Sequence, residues 1–206
     1  MKREHDYLKT SIWYRAEITD PYEVVAEFFN DSDIATHREM TRDILLAACS
    51  DKVYNKDSPG DLLLQFEFIE SVINAAYLIN EEGKESPIKI EKKDVLNPNL
   101  YCSWHKDLTE WDFFPRVLSL EEYINPYLVF RHFFKHKALP EWKRELKEIL
   151  DYALARDSIF EAGVTIDPLS IYLYLSKLME AAHLIDVREI NHIGGHIKNR
   201  FKESRC

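Results

Sequence analysis

Apolar residues along this chain fall into stripes with helical spacing, and the strongest stripe is written twice. Val24, Val25, Phe28 and Phe29 stand at i, i+1, i+4 and i+5, the pattern of a broad apolar helix face. Val129, Phe130, Phe133 and Phe134 repeat it at an offset of 105 residues. The match extends without a gap from Asp20–Cys49 onto Asn125–Leu154, with Pro21/Pro126, Tyr22/Tyr127, Val24/Val129, Phe28/Phe133, Phe29/Phe134, Ile44/Ile149, Leu45/Leu150 and Ala48/Ala153 identical. It resumes at an offset of 106, where Ala75-Ala76-x-Leu78-Ile79 meets Ala181-Ala182-x-Leu184-Ile185. Self-similarity of this length predicts an internal duplication.

Each copy reads as three helices. The first opens at Asp20-Pro21 or Asn125-Pro126, a capping side chain followed by proline at the first helical position. The second is predicted over Asp33–Asp51 and Pro140–Arg156. The third starts at Ser58-Pro59 and Asp167-Pro168 and runs to about Asn80 and Ile185. Its core positions Phe66, Ile69, Ile73 and Ala76 are matched by Tyr172, Leu175, Met179 and Ala182, and the paired alanines suit close helix approach.

Residues 83–107 break the pattern with Gly83, Ser86-Pro87 and Asn97-Pro98, so they are assigned to a connector with at most a short strand. Residues 187–206 are assigned to an additional C-terminal helix bent at Gly194-Gly195. The predicted fold is therefore all-α: one domain of two tandem three-helix units, about 11–82 and 108–186, sharing one core. A lone unit of that size would bury too little surface to be robust.

Composition sharpens this in three ways. Five glycines in 206 residues are few for a chain of tight β-turns, and 46% hydrophobic content supports a continuous core. A net charge of −9 repels phosphate backbones and anionic membranes unless a local basic patch intervenes, which makes nucleic acid a poor partner. The N-terminal MKREHDYLKTSIWYR holds no signal-type apolar run, no membrane span is read, and Cys49, Cys102 and Cys206 are odd in number and widely spaced. A cytoplasmic protein with free thiols is expected.

The two copies also serve as an internal control. Cys49 faces Leu154, His37 faces Trp142 and His183 faces Tyr77, so all three are read as packing residues. The copies differ most where Ala26–Ser32 (AEFFNDS) stands opposite Arg131–Lys137 (RHFFKHK), acid in one and base in the other. Arg131-x4-His136 resembles the spacing in HEPN ribonucleases, all-helical proteins that cut RNA at a dimer or pseudo-dimer interface. That resemblance would give Arg131 the developing phosphate charge and His136 proton transfer or orientation. The first copy offers Ala26 and Asp31 at those places.

Three half-sites for metal are present. His132 and His136 are spaced i, i+4, Cys102-x-x-His105 supplies two ligand types, and His192-x3-His196 spans the glycine pair. Zinc needs three or four protein ligands, and none of these alone reaches that number. No phosphate loop, nucleophile elbow or dinucleotide fingerprint is present, and no cofactor is implied. The aromatic block Trp104–Phe114, with Trp104 and Trp111 as candidate anchors, reads either as a contact surface or as a lid on the core, matched by Trp13-Tyr14 ahead of the first unit.

The reading that accounts for most of this is a non-enzymatic interaction or regulatory protein. It would offer a groove between its units to a protein or peptide, with Arg131, His132, His136, Trp104 and Trp111 as candidate contacts and homodimerisation left open. The alternatives are a HEPN-like ribonuclease or nucleic-acid-associated factor, which would draw on the Arg131–Lys137 patch, and a metal- or small-ligand-binding helical protein.

Overall fold

The computed structural model describes residues 9, 16–56, 58–83, 110–190, 192–193 and 196–197. Among them are eight helices: α1 Pro21–Asp31, α2 Ile34–Ala48, α3 Pro59–Glu81, α4 Glu110–Phe113, α5 Leu120–Ile124, α6 Tyr127–His136, α7 Leu139–Ala153 and α8 Pro168–Arg188. The class is all-α. The one other regular feature is a two-residue antiparallel pair, β1 His192–Ile193 with β2 His196–Ile197.

Local chemistry explains the helix starts. Asp20 accepts from the Tyr22 amide at 2.9 Å, Asp33 from Thr36 at 2.8 Å, Ser58 from Asp61 at 3.1 Å, and Asp167 from both Leu169 and Ser170. Each satisfies amides that the first turn leaves without partners. Pro21, Pro59 and Pro168 occupy first-turn positions, where a missing N–H costs nothing.

α3 and α8 form the centre. α1 packs on both, α6 packs on both, and α2 lies against α7 and α8. Ala75, Ala76, Ala181 and Ala182 are fully buried, and small side chains there allow the close approach. Among the described residues the buried apolar side chains of all six long helices join in one cluster.

Many contacts come in pairs separated by the sequence offset. The Tyr54 amide donates to the Ala153 carbonyl at 2.9 Å, and the Ile159 amide donates to the Ala48 carbonyl at 3.0 Å. Phe29 meets His183 with ring centres 5.0 Å apart, and Phe134 meets Tyr77 at 5.1 Å. His37 stacks on Phe28 (3.7 Å, 11°) with its Nε2 3.0 Å from the Phe28 carbonyl. Trp142 stacks on Phe133 (4.0 Å, 13°), and its Nε1 donates to the Phe133 carbonyl at 3.1 Å. Histidine and tryptophan thus fill the same role, a flat ring with one N–H that closes the first turn-out of the preceding helix.

Several expectations need correcting. Of the C-terminal helix assigned to 187–206, Val187 and Arg188 end α8 instead, His192↔Ile197 and Ile193↔His196 pair as strands, and 198–206 lie outside the described residues. The physical reason is the Gly194-Gly195 step between two His-Ile pairs, a dipeptide suited to a two-residue hairpin connection. Asn125 does not cap α6. It closes α5, and α6 starts at Tyr127 behind Pro126 with no side-chain cap. α4 and α5 were not anticipated; Ser119 and Glu122 form a capping box that starts α5. α3 is also more apolar than the sequence reading allowed, being the one helix among the described residues long and apolar enough by length and composition to cross a bilayer. Most of its apolar positions are covered by α1, α2, α6, α7 and α8, with Leu63 and Leu64 left exposed. Most of the connector, residues 84–109, lies outside the described residues. Cys49 is partly buried at the end of α2, where burial pushes its thiol upward, in keeping with a small filling residue.

Burial holds the His37 imidazole below its ordinary range, against the bonds to Phe28 and Gln65 that favour the charged form. With Nε2 donating to Phe28, the neutral tautomer accepts at Nδ1 from the Gln65 amide nitrogen, 3.0 Å away, and the charged form would instead donate from Nδ1 to Gln65 Oε1 at 3.3 Å. A folded pKa below the unfolded value means that stability is complete above the ordinary 6.5 and declines as acid takes the pH below it. Urea midpoints should fall between about pH 7 and about pH 5.5, with a limiting slope of about 1.4 kcal/mol per pH unit from this group. In His37→Phe that part of the slope should vanish; an unchanged slope would contradict the assignment.

Candidate functional site

α2 turns one face to the core through Ile34, His37, Arg38, Thr41, Ile44, Leu45 and Ala48. Arg38 is the charged member of that face close to α8, and it needs compensation. Its Nη1 donates to the Asp112 carbonyl at 2.8 Å and its Nη2 to the Phe114 carbonyl at 2.9 Å and to Glu180 Oε1 at 2.7 Å. Glu180, 1% exposed on α8, also accepts from the Arg116 amide at 2.8 Å and the Val117 amide at 3.0 Å. The segment 110–117 is therefore tied to both helices through one buried ion pair. Burial pulls the Arg38 guanidinium down, and the neighbouring Glu180 carboxylate pushes it back up.

Beside this pair a cavity of about 300 Å³ opens between α2 and α8, bordered by Thr36, Glu39, Arg42, Arg116, Tyr172 and Ser176 among others. Two of the residues that line it carry a buried polar atom without a hydrogen-bond partner, Arg38 Nε and Ser176 Oγ. Buried donors left unmade cost about 1–3 kcal/mol each. Arg42 and Arg116 sit at the mouth, about half exposed, beside Asp43 (3.4 Å) and Asp112 (3.3 Å) respectively.

A second groove of about 400 Å³ runs between α3 and α7. Its lining is offset from the first by 105 or 106 positions in sequence: Lys143, Arg144 and Lys147 against Arg38, Glu39 and Arg42, and Phe66 and Glu70 against Tyr172 and Ser176. Leu63, Phe66, Leu146 and Leu150 give this groove an apolar floor. Lys143 pairs with Glu70 at 3.4 Å, while Arg144 and Lys147 are exposed and form no ion pair among the described residues.

The residues singled out from the sequence lie elsewhere. Arg131 and His136 leave α6 about 140° apart, as five residues of an α-helix require. Arg131 is exposed, and His136 stacks on Tyr174 (4.1 Å, 13°). His132 Nδ1 stands 3.6 Å from Glu122 Oε1, so the two imidazoles of the i, i+4 pair have different neighbours. Among the described residues no group of three or more His, Cys, Asp or Glu could hold a metal ion. Cys102, Trp104 and His105 lie outside the described residues, and His192 and His196 are described only as backbone. Trp111 is 73% exposed on α4, whereas Phe113 beside it is buried, so the aromatic block is part lid and part surface.

Comparison with protein-family models, with curated proteins and with solved structures returned no match. The site must therefore speak through its chemistry.

Sequence reasoning passed over Arg38 and Glu180. The signal was present: Glu180 directly follows Met179 and precedes Ala181-Ala182 in an otherwise apolar stretch, and a carboxylate placed there requires a buried partner. Replacing it tests the clamp. Glu180→Ala should cost about 3–5 kcal/mol in denaturant unfolding, since it strands a buried guanidinium. Glu39→Ala, which removes the exposed pair with Arg42, should cost under about 1 kcal/mol. Equal, small losses for both would refute the clamp.

Proposed function

We propose that this chain is an internally duplicated, non-enzymatic binding protein, with α1–α3 and α6–α8 as its two units around one core. The paired amide bonds Tyr54 to Ala153 and Ile159 to Ala48, and the paired ring contacts Phe29–His183 and Phe134–Tyr77, support the duplication. Each pair exchanges the same positions between units, as in an isologous interface. Heat should unfold the protein in one transition followed by calorimetry. Two resolved transitions would mean that the units stand alone.

The groove between α3 of one unit and α7 of the other is the surface we assign to a partner protein. What carries this reading is the combination of an apolar floor with two exposed cations, Arg144 and Lys147, that have no acidic mate among the described residues. Leu63, 45% exposed, and Leu64 extend the apolar strip along α3. On a chain of net charge −9, such a locally basic, apolar groove fits an acidic amphipathic segment, whose leucines would fill the floor and whose carboxylates would meet α7.

A panel of acidic helical peptides with leucines at i and i+4, titrated by fluorescence anisotropy, checks this. Members of the panel should bind the wild type, and Lys147→Glu should weaken them about tenfold, the loss of one favourable charge contact and the gain of a repulsive one. Leu63→Ser should weaken them as well. Equal affinity for basic versions of the same peptides would count decisively against the assignment.

A further inference from the structure

We propose that the α2/α8 cavity is a binding site for a small molecule that presents an oxyanion, a carboxylate or a phosphate, to Arg38 and Ser176. This inference rests on a different cavity from the peptide groove and stands or falls separately.

The wall of the cavity is unequal in donors and acceptors. Glu180 is a carboxylate, but its oxygens already accept from Arg38, Arg116 and Val117. Arg38 has used three of its five N–H groups, one on Nη1 and two on Nη2, on Glu180 and on two carbonyls, which leaves one Nη1 N–H and, on a nitrogen with no partner at all, Nε–H. That group can only donate. Ser176 Oγ, on a residue 3% exposed, is the second buried group without a partner, and its hydrogen rotates to suit an acceptor. Both residues line the cavity, and the chemistry still unmet behind its wall is an acceptor that a small side-chain shift would bring to both.

The mouth has the same preference. Arg42 and Arg116 carry several guanidinium N–H groups each and engage acids only through half-exposed contacts at 3.3–3.6 Å. Such contacts are weak and exchange readily for a ligand anion. Glu39 and Asp112 stand at the same mouth, so a bulky polyanion is disfavoured, and a volume of about 300 Å³ sets the scale of a small metabolite. Tyr172 adds a half-buried ring to one side.

The equivalent groove supplies the contrast. There the place of Ser176 is taken by Glu70, which pairs with Lys143, the counterpart of Arg38. The acid is satisfied across the groove itself, and the cations left over, Arg144 and Lys147, are exposed instead of buried. In the α2/α8 cavity the acid sits one turn further along, and the space it vacates is lined by donors.

The experiment follows the thermal midpoint and titration calorimetry of the full chain with inorganic phosphate and with succinate, each against chloride at matched ionic strength. Either anion, or both, should raise the wild-type midpoint beyond chloride and give saturable heat. Phosphate alone would identify a phosphorylated ligand class, and succinate alone a carboxylate. Ser176→Ala removes an unpartnered hydroxyl, so the variant without anion should be no less stable than the wild type, yet bind about tenfold more weakly. Arg42→Ala, on an exposed helix position, should also weaken binding, while Lys147→Ala in the other groove should not. General salt stabilisation would act equally on all variants. The proposal is overturned if neither anion exceeds chloride, or if Ser176→Ala and Arg42→Ala both keep the full wild-type response.

Discussion

A helix of 23 residues that is apolar on nearly every side has to be covered on every side, and this constraint organises the molecule. α3 cannot be buried by α1 and α2 alone, and α8, with 21 residues, presents the same demand to α6 and α7. The solution is exchange: α1 leans on α8 as well as α3, α6 leans on α3 as well as α8, and α2 and α7 lie on one another. Each long helix is covered partly by short helices from the other half of the chain. Stability then belongs to the whole, because removing either half would expose the central helix of the other.

The exchange also decides which polar groups must be inside. Helices that cross between halves bring Arg38 next to Glu180 and His37 next to Gln65, and neither pair could be left half made. The two ring positions illustrate the latitude that remains. Trp142 satisfies the Phe133 carbonyl with an indole N–H and fills its space fully. His37 makes the same bond with a smaller ring, and a second bond to Gln65 takes care of the nitrogen that tryptophan lacks. A titratable group in the core follows from that choice, and the acid sensitivity of the packing follows with it.

Legibility in the sequence tracked the strength of local signals. Asp20-Pro21, Ser58-Pro59 and Asp167-Pro168 announced three helix starts, because an oxygen acceptor and a missing N–H act within one turn. Asn125-Pro126 carries the same letters but follows α5, whose last turn Asn125 closes, so tertiary context overrode the motif. Glycines at 194 and 195 were read as a bend where they separate paired strands, since an apolar run of two residues has no period to measure. The candidate sites were legible only in part. Histidines attracted attention as versatile ligands, whereas the cavities arise where α2 meets α8 and α3 meets α7, contacts between residues more than seventy positions apart that no short motif encodes.

Those two cavities show how a shift of one helical turn can separate two chemistries on one scaffold. Arg38 and Lys143 stand 105 positions apart in sequence, the offset of the proposed duplication, and each has a carboxylate within reach. For Lys143 the carboxylate is Glu70, partly exposed on the groove wall, so the charges cancel across the opening and the floor of leucine and phenylalanine decides what enters. For Arg38 it is Glu180, four residues beyond the place equivalent to Glu70 and almost wholly buried, where backbone amides of residues 116 and 117 share it. The carboxylate is then spent beneath the cavity instead of within it. What remains around the opening is a lining that includes Arg42, Arg116 and Ser176, polar where its counterpart has leucine and phenylalanine. A difference of one turn in the position of an acid, held in place by the segment it anchors, thus accompanies the difference between an apolar groove and a polar cavity.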